Sequence, residues 1–125
     1  MGKDAPTLEE TAAFLEAAQA AGPRDHALAC LLALNGLEFA AICSATVEDL
    51  AGAGGRRSVH VSLTGGRPTP VPLSARTAAA IEEQLDGRTG GPLLLADDGG
   101  PLRPADAAAI VRRIVHAAGL GHRLG

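Results

Sequence analysis

The side chains best suited to phosphate chemistry fall in three places, Arg56-Arg57, Arg67 and Arg112-Arg113. A guanidinium stays charged at every physiological pH, and its planar fork of donors matches two phosphate oxygens at once. Arg56, Arg57 and Arg67 flank a strand-like stretch, so contact with a nucleic-acid backbone is the chemistry they suggest. Arg112 and Arg113 lie in a helical stretch, where a doubly charged face is ordinarily solvated. His26 and His60 have no cysteine or carboxylate at ligand spacing, so both read as surface or half-buried polar residues and no metal site is expected. Cys30 and Cys43 sit in apolar helical stretches without the paired spacing of a disulfide or metal scaffold, and they read as buried thiols. The glycines of Ala51-Gly52-Ala53-Gly54-Gly55 do not follow a strand in the dinucleotide-loop arrangement, and no cofactor is expected.

The charge is unevenly spread. Residues 1–50 carry two basic side chains against eight acidic ones, a net of −6, while residues 51–125 carry nine against six, a net of +3. Any phosphate-facing surface therefore belongs to the second part. The overall charge of −3 argues against a strongly basic nucleic-acid binder. With 125 residues and 46% hydrophobic content the chain can form one compact domain with a genuine core, built from Leu, Ile, Val and Ala because aromatics make up only 2%. No segment approaches the length of a membrane span and the first residues lack a signal-peptide core, so a cytoplasmic protein with no membrane partner is expected.

The elements that must position these cations are mostly helical. Thr7-Leu8-Glu9-Glu10 has capping-box spacing and opens a helix that runs to about Ala21. Gly22 ends it, and Pro23 suits the first turn of a second helix, apolar almost all round as far as Asn35, with Gly36 as its stop. A short helix covers Glu38 to Ala45, and Ala51 to Arg57 reads as a flexible connection. Ser58 to Leu63 alternates with period two, as does Thr69 to Leu73, with Gly65-Gly66 between them, which predicts a β-hairpin. Pro68, Pro70 and Pro72 put the second strand at an edge. Ser74 caps a helix ended by Gly87. Pro92 to Leu95 is a strand or a buried loop, and Asp97 to Gly100 is a turn. Pro104 then opens a last helix with an apolar stripe of Ala107, Ile110, Val111, Ile114, Val115 and Ala118, which leaves Arg112, Arg113 and His116 in solvent. The expected fold is mainly α (α+β), a helical domain with a small antiparallel β-hairpin or sheet.

Several local words, in order, resemble the catalytic domain of tyrosine recombinases of the phage-integrase type. Gly22-Pro23-Arg24-Asp25-His26-Ala27-Leu28 is similar to that family's GPRDxAL segment. Gly36-Leu37-Glu38-Phe39-Ala40-Ala41, followed by Val47-Glu48-Asp49-Leu50, resembles GLRxSE…VxDL. Thr64-Gly65-Gly66-Arg67 leading into Val71-Pro72-Leu73 resembles the hairpin GKGxK…VPL, and Gly91 to Leu95, Gly100 to Leu102 and Ala118 to Leu120 continue the series. Nearly the whole stretch from Thr7 onward is covered.

The resemblance implies a fold that grips DNA as one half of a clamp, and a reaction in which a tyrosine hydroxyl attacks a DNA phosphate to give a covalent phosphotyrosyl intermediate without metal or nucleotide. Two arginines, a lysine and a histidine stabilise the charge that develops on the phosphate. The first arginine falls on Glu38, which replaces an attraction by a repulsion. The acidic residue that closes the same motif falls on Ala41, and the hairpin lysine falls on Thr64. The second arginine and the histidine belong to an HxLRH motif beyond Gly119-Leu120, and His122 and Arg123 have the wrong spacing to be it. The sequence contains no tyrosine. The expectation is therefore a catalytically incomplete, truncated chain, the front part of such a domain. It would bind DNA weakly and without sequence preference through Arg56, Arg57 and Arg67, with Arg112 and Arg113 as the other candidates. Two alternatives stand beside it: an inert remnant, and a protein-interaction module that has lost DNA. Helices that follow in the family would pack on those seen here, so apolar surface is expected beside Ala27 to Leu34 and the last helix, covered by self-association or by a protein partner.

Overall fold

The computed structural model describes residues 7–53, 56–62 and 67–120. The elements run α1 (Leu8–Ala21), α2 (Pro23–Ala33), α3 (Phe39–Ser44), a 3-10 turn (Val47–Asp49), β1 (Leu50–Ala53), β2 (Arg56–Ser62), β3 (Pro68–Pro72), α4 (Ala75–Leu85) and α5 (Pro104–Ala117). The mainly helical fold with a small antiparallel sheet is the one expected from the sequence.

Local chemistry explains most of the boundaries. The Thr7 hydroxyl accepts from the Glu10 amide at 3.0 Å while the Glu10 carboxylate accepts from the Thr7 amide at 2.9 Å, the reciprocal capping box that starts α1. Gly22, at φ 142°, separates α1 from α2, and Pro23 occupies the first position of α2, where no amide donor is needed. Ser74 caps α4 through the Thr77 amide at 3.2 Å. Arg103 precedes Pro104 at the start of α5, its amide donating to Asp106 at 3.2 Å.

Helix α2 is the centre of the molecule. Asp25 through Leu31 are buried without interruption, with Leu28 and Leu31 fully so, and α1, α3, α4 and α5 all pack on it. Its end departs from expectation: the helix stops at Ala33, and Leu34 is 39% exposed. His26 is corrected as well, since it is not a surface group but only 6% exposed, against α4. Of the two thiols, Cys30 is buried and Cys43 only partly so.

The sheet has the order β1-β2-β3, antiparallel throughout. Of the stretch Ala51 to Arg57, expected as a flexible connection, Gly54 and Gly55 lie outside the described residues and the rest is strand. Leu50 to Ala53 is a strand, aligned on Val59 to Arg56 of β2, and Arg56 and Arg57 are themselves strand residues. Val59 and Val61 supply the buried face of β2, which lies against α3. In β3, Leu73 just beyond the strand donates its amide to the Arg57 carbonyl at 2.9 Å. Amides two residues apart point the same way, so those of Val71 and Thr69 also face β2. The three prolines then fall where the amides would have faced outward, and this edge offers no donor at positions 68, 70 and 72.

Between α4 and α5 the chain packs as a buried loop, with Leu93 and Leu94 in the core and short bridges from Thr46 to Pro92 and from Leu95 to Pro101. Arg88 holds it, donating to the carbonyls of Pro92 at 2.8 Å and Leu93 at 3.1 Å, and Gln84 joins at the latter at 2.7 Å.

Candidate nucleic-acid interface

The register of the sheet decides where the cations lie. Arg56 opens β2 and is exposed, two residues beyond the end of the β2–β3 pairing, where Ser58 faces Pro72. Arg67, also exposed, immediately precedes Pro68, which faces Ser62 at the opposite end. About seven strand residues at roughly 3.3 Å each separate the two, on the order of 20 Å. That is more than twice the distance over which salt screens a charge, about 8 Å at physiological ionic strength, so they act as independent charges.

Arg57 is pinned rather than free. It shares the buried face of β2 with Val59 and Val61, keeps 21% of its side chain exposed, and forms an ion pair with Glu82 of α4. Its Nε is buried without a partner among the described residues. Close by, Asn35 donates its side-chain amide to the Pro72 carbonyl at 2.9 Å, which ties the α2–α3 loop to the end of β3, and the Asn35 Oδ1 is likewise buried without a partner.

Glu38 is the N-cap residue of α3. Its backbone is extended, at φ −82° and ψ 158°, its carbonyl accepts from the Ile42 amide at 3.0 Å, and its side chain is exposed and makes no cap bond. A carboxylate is favoured there by the helix dipole, and it presents negative charge where the resemblance calls for a cation. Ala41 is 8% exposed and packs into the core, so no second carboxylate supports the position. Thr64, the hairpin turn Gly65-Gly66, His122 and Arg123 lie outside the described residues.

Arg112 and Arg113 belong to a different element, on the exposed side of α5. Arg113 approaches the buried Asp25 at 4.0 Å, and Asp25 also takes a 2.8 Å bond from Arg24. Arg24 is a strut: it reaches the Leu95 carbonyl at 2.9 Å and Asp97 at 3.1 Å. Burial works against its charge, and the two carboxylates more than offset this, so its pKa is raised. The candidates therefore separate into exposed Arg56 and Arg67 at two ends of the sheet, Arg57 neutralised by Glu82, and Arg112 with Arg113 on another face.

Arg76 escaped sequence reasoning. It is exposed in the first turn of α4, and its Nε donates to His26 Nε2 at 3.2 Å. An accepting Nε2 places the histidine proton on Nδ1, which is buried without a partner among the described residues. Burial first, and the Arg76 charge second, hold the His26 pKa below its ordinary value. Only the fifty-residue separation hid this pair, and no local pattern announces it. Among the described residues no three metal-capable side chains converge, and no helix is long and apolar enough to cross a membrane.

With that geometry in place, the kinship can be stated. No protein-family model matches the chain. Tyrosine recombinase XerC of Pelobacter propionicus is 35% identical over 99 residues, which cover 76% of this chain and 32% of that protein. The crystal structure of XerA recombinase superposes with a TM-score of 0.80 at 18% identity, covering 92% of this chain and 43% of that one. XerH recombinase, bound to its difH substrate in a pre-cleavage complex, gives a TM-score of 0.75 at 19% identity over 96% of this chain and 40% of that one. Lambda integrase bound to DNA gives 0.70 at 16% identity, over 91% and 42%. In sequence and in fold the chain is tyrosine-recombinase-like, corresponding to part of that catalytic domain. It spans about a third of the curated relative's length, from the 32% coverage, and about two-fifths of each solved chain.

Proposed function

We propose that this chain is a catalytically incomplete, tyrosine-recombinase-like module related to site-specific DNA recombination, acting at most as a weak DNA-binding or regulatory element. The observation that carries the reading is Glu38, an exposed carboxylate at the N-terminus of α3, on the position that the resemblance assigns to a phosphate-activating arginine. A preorganised cation there would stabilise charge developing on a phosphate, whereas an anion repels it. The absence of any tyrosine among the 125 residues removes the nucleophile from this stretch as well.

DNA as a partner is supported by two of the similar structures, which were solved with DNA. Exposed Arg56 and Arg67 are its best-placed contacts, with Arg57 as a supporting strand cation. So dispersed a set neutralises few phosphates, which predicts binding that is weak, independent of sequence and shallow in its salt dependence. Equilibrium binding to labelled duplexes of two unrelated sequences, titrated with salt, tests this. Equal weak affinities with a slope set by one to three phosphates are expected, and strong preference for one sequence contradicts it. Changing Arg56, Arg57 and Arg67 together to Ala abolishes the binding, and undiminished affinity in that variant transfers the contact to Arg112 and Arg113.

A specific observation favours a second reading, a protein-interaction module. Phe14, Leu32, Val111, Val115 and Leu120 line an open groove of about 950 Å³ between α1, α2 and α5. An apolar face of this kind is seldom left to water.

A further inference from the structure

We propose that Asn35 is a self-modifying site: with Gly36 it closes to a succinimide and hydrolyses to aspartyl or isoaspartyl, which cuts the tether between the α2–α3 loop and β3. Water is the only co-reactant, and the step is independent of both readings of function above.

Asn35 is the single asparagine among the 125 residues, and glycine follows it. The fold imposes that pairing. Past the end of α2 the chain turns back, with the Leu34 amide donating to the Cys30 carbonyl at 2.9 Å and the Leu37 amide to the Leu31 carbonyl at 3.1 Å. Between these two bonds Gly36 lies at φ 67°, in the left-handed region that favours glycine at a helix end. Having no Cβ, it leaves its own amide nitrogen open to the side chain before it. That amide has no hydrogen-bond partner among the described residues, and Gly36 is exposed.

The Gly36 nitrogen bonds to the Asn35 Cγ and gives up its proton, while the Cγ–Nδ2 bond breaks and ammonia leaves. Water then opens the ring. Cleavage between the Gly36 nitrogen and Cγ leaves aspartate, and cleavage between that nitrogen and the original carbonyl carbon leaves isoaspartate, with an extra methylene in the main chain.

The position gives this change its consequence. The Asn35 Nδ2 donates to the Pro72 carbonyl at 2.9 Å, and its Oδ1 is buried without a partner among the described residues. A carboxylate sets an acceptor against that carbonyl, so the bond is lost and negative charge arrives where an oxygen already lacked a donor. The neighbouring bond, from the Leu73 amide to the Arg57 carbonyl at 2.9 Å, is the first to loosen. Asp86-Gly87 and Asp98-Gly99 are slower comparisons, because an ionised carboxylate is a poorer electrophile than an amide. The Gly99 amide is in addition committed to the Ala96 carbonyl at 2.9 Å.

Peptide mapping by mass spectrometry, after incubation of the folded chain at pH 8, tests the proposal, with the chain unfolded in urea as the reference rate. The bond to be broken first is the tether itself. The Asn35 peptide should therefore show amide-to-acid exchange, split into aspartyl and isoaspartyl forms, within about fivefold of the reference rate, the weight of one ordinary hydrogen bond. Asn35→Gln, whose longer side chain closes the ring poorly, should stay amidated over the same period. Asn35→Asp supplies the product directly, and hydrogen exchange should find its Leu73 amide at least about fivefold less protected, with the α5 amides unchanged. A folded chain that keeps its Asn35 amide while the unfolded chain loses it overturns the proposal. So does exchange of the Asn35→Gln side chain at the unaltered rate, or an Asn35→Asp chain whose Leu73 amide is as protected as before.

Discussion

The sheet and the α1–α5 groove present opposite solutions to a surface. On the sheet, charge is dispersed and internally answered: Arg57 is taken by Glu82, Arg56 and Arg67 stand at opposite ends, and the β3 edge is blunted by proline. In the groove, apolar side chains lie together, flanked by Glu10 on α1 and by Arg112, Arg113 and His116 on α5. The sheet keeps its three-stranded order while its exposed cations stand at separate ends. The helical side keeps a cohesive surface that the described residues do not fill. A fold and the chemistry mounted on it can vary separately, because the core that fixes the fold and the side chains that do chemistry are separate sets of residues.

The largest effect should come from the helical core on which both regions depend. Leu28→Ala removes a fully buried side chain from the centre of α2 and should cost about 3 kcal/mol, read as a lower urea midpoint with unchanged slope. A loss under about 1 kcal/mol would mean that α2 is not the common support. Next comes the buried loop between α4 and α5. Arg88→Ala strands the carbonyls of Pro92 and Leu93 and should cost about 2 kcal/mol in the same experiment.

A pH effect separates the α2–α4 contact from both faces. The folded state holds the His26 pKa below that of the unfolded chain, so the unfolded chain binds the proton more readily. The stabilising contribution is therefore complete above the unfolded value of about 6.5 and is lost as pH falls from there through the folded value. Chemical denaturation between pH 8 and pH 5 should show stability declining toward acid, and His26→Gln should flatten the part of that decline above the carboxylate range. An unaltered profile in the variant would locate the titrating group elsewhere.

The smallest effect sharpens the reading of the sheet. Arg57→Ala breaks an ion pair with a half-exposed Glu82 and should cost less than about 1 kcal/mol of stability. On DNA it should matter less than Arg56→Ala, which is expected to lower the salt slope by about 1. The reverse order would show that Arg57 leaves Glu82 to meet phosphate.

What was legible in the sequence was local. Thr7 with Glu10, Gly22 with Pro23, and Ser74 each mark a helix end through bonds spanning a few residues, and the structure has all three. The proline-rich strand at an edge was legible for the same reason. β1 was not. Leu50 to Ala53 has little strand propensity of its own and becomes a strand by alignment with β2, and Gly52, at φ 81°, sits where a Cβ would come within 2.1 Å of the Arg56 carbonyl oxygen. The glycine that looked like flexibility is a requirement of close approach. The burial of His26 and the neutralisation of Arg57 depend on partners fifty and twenty-five residues away, and the separation of Arg56 from Arg67 depends on register. The sequence named the candidate cations, and only the three-dimensional arrangement could say that they do not form one cluster.

We propose above all that this chain carries a recombinase-like fold without the means to cut DNA. The most direct test incubates it with nicked and intact duplex DNA, denatures the mixture, and looks for protein that remains covalently attached to a labelled strand. No adduct is expected from the chain itself or from Glu38→Arg, because a repaired phosphate site still lacks an attacking tyrosine hydroxyl. A denaturation-resistant adduct formed by the unaltered chain would contradict the account outright.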